Sequence, residues 1–170
     1  ADDGAVREIL GWRRSPDMVQ RLLGTEPADL DTLARITPHV GVAALGPLLD
    51  ALATAKERKV RARLIDIVAH FGPSVGGEIV ARIPGAPWYV QRNLLRLLGM
   101  LPELPEGFSI ATHAKHPDPR VRHEALRIML RDRTRRADAI RVALQSPDPP
   151  TLRLGIVAAS EGCPPAVAPL

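Results

Sequence analysis

Three histidines and a run of arginines are the first residues in this 170-residue chain that could do chemistry. His113 and His116 stand three apart and His123 lies just beyond, in the segment "HPDPRVRHEALRIML" that also holds Arg120, Arg122 and Arg127. That histidine spacing can ligate zinc, but no cysteine or acidic cluster reinforces it, so no metal is expected. His39 and His70 each stand two residues before a glycine, which suits the closing turn of a helix better than catalysis. Nucleophilic chemistry finds no support. The lone cysteine, Cys163, lies in the turn-like "EGCPP", and Ser15, Ser74, Ser109, Ser146 and Ser160 have no recognisable base or elbow. "SVGG" at 74–77 lacks the length and the lysine of a phosphate loop. No catalytic residue and no cofactor is assigned, and the chain is expected not to be an enzyme.

The arginines carry the other possibility. The net charge is +4, and the excess is local: residues 118–141 hold eight arginines against Asp118, Glu124, Asp132 and Asp138. Twenty of the 23 basic residues are arginine, a bias that codon drift in a GC-rich genome also produces. Whatever its origin, a basic patch attracts phosphates or acidic protein surfaces. A single cysteine excludes a disulfide framework within the chain, and no uninterrupted apolar run approaches the roughly 18 residues of a membrane span. A soluble, cytoplasmic protein with no membrane partner is expected, its natural N-terminus lying elsewhere because the chain opens "ADDGAVREIL" without methionine.

What must position these residues is a repeat. "KVRARLIDIVAHFG" (59–72), "YVQRNLLRLLGMLP" (89–102), "RVRHEALRIMLRDR" (120–133) and "TLRLGIVAASEGCP" (151–164) follow at spacings of 30, 31 and 31. Their apolar residues fall at i, i+4, i+7 and i+8, one buried stripe of an α-helix: Val60, Leu64, Ile67, Val68; Val90, Leu94, Leu97, Leu98; Val121, Ala125, Ile128, Met129; and, less strongly, Leu152, Ile156, Ala159, Ser160. An earlier copy at Asp29 to Gly41 places Leu33 and Ile36 at the Leu64 and Ile67 positions. Between these five helices lie shorter apolar segments, Asp17 to Leu23, Val42 to Ala53, Val75 to Ile83, Phe108 to Ala114 and Ala137 to Leu144, so each repeat is a helical hairpin. Asp118-Pro119 and Asp148-Pro149 supply a carboxylate N-cap followed by proline at the first helical position, and Gly24, Gly41 and Gly72 supply stops. No useful period-2 alternation appears. The fold class is all-α, with hairpins that bury their stripes against their neighbours.

Asp-Pro, then Val-Arg, then a helix of Ala, Leu and Ile in "HPDPRVRHEALRIML" resembles the HEAT-repeat family, and the short period is similar to the bacterial HEAT-like repeats of phycobilisome lyase subunits. The resemblance implies a right-handed alpha-alpha superhelix, a solenoid of about five hairpins. Its boundaries would be an N-terminal helical segment at 1–14 and an array at 15–170, with repeats at about 15–41, 42–72, 73–102, 103–133 and 134–163. A sixth would start at 164–170, since "CPPAVAPL" aligns with "FGPSVGGE", and the protein is then expected to continue past Leu170. The family's recurring arginine after the valine stands here as Arg61, Arg122 and Arg153, replaced by Gln91 in one copy, and the resemblance implies hydrogen-bonded ladders between neighbouring repeats.

HEAT arrays mostly serve as binding scaffolds, and their second helices line the concave surface. The resemblance therefore places Lys59, Arg63, Asp66, Tyr89, Arg92, Asn93, Arg96, Arg120, Glu124, Arg127 and Arg131 in a groove, and the expected partner is an acidic or helical protein segment. Ion pairs such as Asp66 with Arg96 would make the same face merely a solvated one. The alternative is a nucleic-acid-binding array in which Arg63, Arg92, Arg96, Arg120, Arg127, Arg131, Arg133, Arg135 and Arg136 contact phosphates. A more distant one is an alkylpurine DNA glycosylase, because HEAT-like members of that class hold the nucleotide with an aspartate and an arginine from successive repeats, as Asp66 and Arg96 would stand. The aromatic cradle those enzymes need is missing: the chain has five aromatic rings, of which Tyr89 alone is placed toward the groove, while Trp88 is expected to pack at its helix start.

Overall fold

The computed structural model describes residues 16–25, 28–162, 164 and 167, and all regular structure among them is helical. The N-terminal segment at 1–14, with Trp12, and Cys163 lie outside the described residues. The chain divides into two compact units: one running to Gly85 and including Met100–Pro105, the other comprising Ala86–Gly99 and the chain from Glu106 onward. The division falls inside the repeat expected at 73–102.

In the first unit, α1 (Pro16–Leu23) and α2 (Leu30–Val40) form one hairpin, and a 3-10 turn (Gly41–Ala44) leads into α3 (Leu45–Thr54) and α4 (Arg58–Ala69), the second. Helix α1 packs on α3 and α2 on α4, so first helices meet first helices and second meet second. The Asp29 carboxylate accepts the Thr32 N–H at 2.9 Å and starts α2. Gly41 and Gly72, one repeat apart, take φ of 70° and 66°, the left-handed conformation that lets each chain leave a second helix and enter a 3-10 turn. Leu33, Leu48, Leu49, Leu52, Leu64 and Val68 form the core, each contributing about 1.5–3 kcal/mol through burial. After the Gly72–Val75 turn, α5 (Gly76–Ala81) begins on a glycine because Pro105 and Leu101 pack where a Cβ would stand.

Leu30–Thr54 is, by length and composition alone, apolar enough to cross a membrane. It is not one straight helix: it comprises α2, the 3-10 turn at Gly41 and α3, with Pro38 inside α2.

The second unit holds α6 (Trp88–Leu98), the one-turn α7 (Ile110–His113), α8 (Pro119–Met129), α9 (Arg136–Leu144) and α10 (Pro149–Ser160). Helix α8 packs against the other four, and α9 lies closely along α10. The Asp118 carboxylate caps α8 through the Arg120 N–H at 2.8 Å, and Asp148 caps α10 through the Thr151 N–H at 3.1 Å, each followed by proline at the first turn.

The stripes expected on α4, α6 and α8 face inward, with Val60 and Val90 half-buried at the helix starts. The stripe expected on α10 does not. Ile156 is 54% exposed and Ser160 is exposed, while Thr151, Gly155 and Ala158 are buried. The Asp-Pro start fixes the register, so the last spacing is 30, from Asp118 to Asp148, and the whole stripe moves back by one residue. The position occupied by Leu64, Leu94 and Ala125 in earlier copies is then Gly155, where a Cβ would lie 2.9 Å from the Ala143 Cβ and from the Leu144 nitrogen. Of the expected sixth repeat only Pro164 and Val167 are described; Val167 is buried and its N–H reaches the Pro164 carbonyl at 2.9 Å.

Candidate functional site

On α4 the residues Lys59, Arg63, Asp66 and His70 follow one another at helical spacing and are all exposed. Arg63 reaches across to α2, where its Nη2 lies 3.1 Å from an Asp31 oxygen. Two hollows flank Arg63. One, of about 250 Å³, is lined by Ala34, Thr37 and Pro38 of α2 and by Arg63, Ile67, His70 and Phe71. The other, of about 700 Å³, lies between residues 28–31 and Lys59, Val60 and Arg63. The sequence reading missed the first hollow. Its signal is a comparison between copies, because Ala34 stands where Ile65, Leu95 and Leu126 stand in later repeats, and those three are buried.

In the second unit Trp88, which is not among the expected site residues, brings three of them together: Tyr89, Arg92 and Arg120. The Arg120 guanidinium carbon lies 4.5 Å from its ring centre, that of Arg92 lies 5.8 Å away, and the exposed Tyr89 ring meets it edge-on at 5.8 Å. Trp88 thus opens α6, as the sequence suggests, and also holds two cations. Arg96 and Arg127 are exposed; Arg127 pairs with Glu124 at 3.1 Å, and Glu124 is itself mostly covered. Arg131 donates to the Gly99 carbonyl. Asn93 departs from expectation: it is 4% exposed and its Oδ1 accepts from Arg92 Nη2 at 2.9 Å. The position turns inward because Asn93 directly precedes Leu94 and Leu95, both of which are buried. Asp66 belongs to the first unit and Arg96 to the second.

Much of the arginine-rich run serves the fold. Arg122 Nη1 donates to the His116 and Pro117 carbonyls, both at 2.8 Å, and so clasps the loop before its own helix. Arg61 does the same to Ala55 and Lys56, and Gln91 to Ala86. These bonds lie within a repeat, which corrects the expectation of ladders between repeats. Arg153 does not share the role, because the register of α10 puts Leu152 at that position. Arg136 bonds the Leu130 and Ala158 carbonyls, while Arg135 and Arg141 pair with Asp132 and Asp138.

The histidines have local partners as well. His70 Nδ1 lies 2.6 Å from the Asp66 carbonyl, His113 rests against Phe108, His116 Nδ1 accepts the Asp118 N–H at 3.0 Å, and His123 Nδ1 lies 3.3 Å from the Thr151 hydroxyl. Among the described residues no group of three metal-ligating side chains converges. The Thr151 hydroxyl holds the Asp148 carboxyl below the usual carboxylate range, with further help from the Thr151 N–H, His123 and Arg122. Asp29 is lowered chiefly by the Thr32 N–H, and Asp132 by the Thr134 hydroxyl.

No family model matches this chain, and no curated protein or solved structure matches it either.

Proposed function

We propose that the chain is a HEAT-like scaffold of about five hairpins in a right-handed superhelix, working in the bacterial cytoplasm without catalysing a reaction. Its second helices would form a basic groove that holds an acidic helical segment of another protein, with arginines steering the encounter and gripping carboxylates. What supports this most is the display of Arg96, Arg120 and Arg127 on two successive second helices, with Arg120 held over Trp88. A cation fixed on a ring loses less freedom on binding than one on a free stem.

The cluster of Trp88, Tyr89, Arg92 and Arg120 favours one alternative, since arginines interleaved with aromatic rings also suit nucleic acid. Titration of an acidic helical peptide and of generic duplex DNA, each at several salt concentrations, separates the two. Peptide binding lost in Arg96→Glu combined with Arg127→Glu supports the scaffold. DNA binding that falls steeply with salt and is lost in the same variant replaces it with the nucleic-acid reading. If neither probe binds, both readings fail.

A further inference from the structure

We infer that the hollow between α2 and α4 is an anchor pocket for one leucine-sized side chain of an acidic peptide segment, whose neighbouring carboxylate is taken by Arg63. This rests on the groove reading above and narrows it to one subsite and one occupant.

The pocket is built by a substitution within the repeat. Ile65, Leu95 and Leu126 fill the position that Ala34 leaves short, and Ala34, Thr37 and Pro38 together give α2 a low wall opposite Ile67 and Phe71. Thr37 spends its hydroxyl on the Leu33 carbonyl at 2.7 Å, so its methyl is what remains to face a ligand. Pro38 has no N–H to donate and adds ring carbons to the wall. The walls are thus mainly apolar, with Arg63 at one end and His70 at the other.

Size and charge select the occupant. About 250 Å³ falls below the usual 300–1,000 Å³ of cofactor and metabolite sites, and suits a single anchor side chain. The second hollow shares Arg63 and continues along the same helices toward Lys59 and Val60, with Asp29 and Asp31 on its opposite side, so the carboxylate-binding position is confined to Arg63 beside the first hollow. From Val60 on α4 to Phe71 just past its end the lined stretch is roughly 16 Å, the length of about eleven helical residues. Among the described residues the carboxylate paired with Arg63 is that of Asp31, whose side chain is 91% exposed. Such a pair is weak and salt-screened, so an incoming carboxylate that arrives with a buried anchor displaces it.

The test uses the full chain and a fluorescein-labelled peptide of about eleven residues built from alanine, with leucine and glutamate three and four apart, long enough to span the lined stretch as a helix. Ala34→Leu fills the pocket with a residue type that later copies carry, and is expected to weaken binding about tenfold or more while keeping a cooperative melt. Arg63→Glu, and replacement of the peptide's leucines by alanine, are expected to do the same. Amide chemical shifts in the wild-type chain are expected to move at Ala34, Thr37, Ile67 and Phe71. These shifts decide the matter should Ala34→Leu fail to fold; shifts confined to other helices overturn the pocket. If Ala34→Leu folds and binds like wild type while Arg96→Glu with Arg127→Glu loses the peptide, the pocket is wrong and the broader groove stands. The reverse pattern keeps the pocket and removes the broader groove.

Discussion

The Arg120 guanidinium lies over the Trp88 indole, 4.5 Å from the ring centre, and joins the start of α8 to the start of α6. Arg120 is exposed, so this contact leaves N–H groups available to an oxyanion while holding the cation in place. Arg120→Ala is expected to lower stability by about 0.5–1 kcal/mol, the range for exposed cation–π pairs, and to change Trp88 emission in a Trp12→Phe background. Urea unfolding followed by circular dichroism, together with emission spectra, checks it. An unchanged spectrum would mean that the two groups do not meet in solution.

Arg122 and Arg153 follow the same apolar-Arg pattern and are expected to behave differently. Arg122 grips two loop carbonyls at 2.8 Å, and Arg122→Ala is expected to cost about 1.5–3 kcal/mol, the range for hydrogen bonds from a charged group. Arg153 is exposed and sits one residue past the clasp position, so Arg153→Ala is expected to stay within about 0.5 kcal/mol. Thermal melts of the two variants side by side are sufficient. Equal losses would restore the register in which both arginines are equivalent.

That contrast shows where sequence reasoning reached and where it stopped. The all-helical class and the helix breaks were legible because the 30-residue period, the Asp-Pro starts and the glycine stops all specify the same breaks. The register of α10 was not, since matching apolar residues favoured Leu152 and Ile156 over the stronger capping signal of Asp148-Pro149. Ile156 looked like core and is 54% exposed, whereas Thr151 looked polar and is buried because Asp148 and His123 satisfy its hydroxyl. The basic face was legible as composition only. Which arginines clasp loops, pair with acids or remain outward depends on contacts between segments, and the Ala34 hollow depends on what its neighbour α4 leaves unfilled.

Asp148 provides a pH test. Its carboxylate accepts the Thr151 hydroxyl at 2.6 Å and the Thr151 N–H at 3.1 Å, and its pKa is lowered in the folded chain. The folded state therefore binds this proton less readily than the unfolded state, whose aspartate titrates near about 3.9. The stabilisation is fully present above that value and is lost as pH falls through the lower folded pKa. Asp148→Asn is expected to be less stable than wild type at neutral pH, with the difference shrinking as the pH drops below about 4. Denaturant midpoints across that range measure it, and a difference that stays constant with pH would exclude the ionised carboxylate as its source, since asparagine still caps.

Gly155 sets how closely α10 approaches α9. A Cβ there would meet the Ala143 Cβ at 2.9 Å and the Leu144 nitrogen and Ala143 carbonyl carbon at 2.9 and 3.0 Å, and two of those three atoms are backbone that cannot swing aside. Gly155→Leu restores the residue type found at the matching Leu64 and Leu94 positions and improves intrinsic helix propensity by somewhat under about 1 kcal/mol. The helices must nevertheless separate to admit it, and overpacking of about 1–3 kcal/mol exceeds the propensity gain, so the variant is expected to be destabilised. Ile156→Ala, next in sequence but half in solvent, is expected to cost well under the roughly 2–5 kcal/mol of a buried isoleucine truncation. Chemical denaturation of both variants ranks the two positions. A larger loss at Ile156 than at Gly155 would reinstate the stripe of Leu152, Ile156 and Ala159 as the buried face of α10.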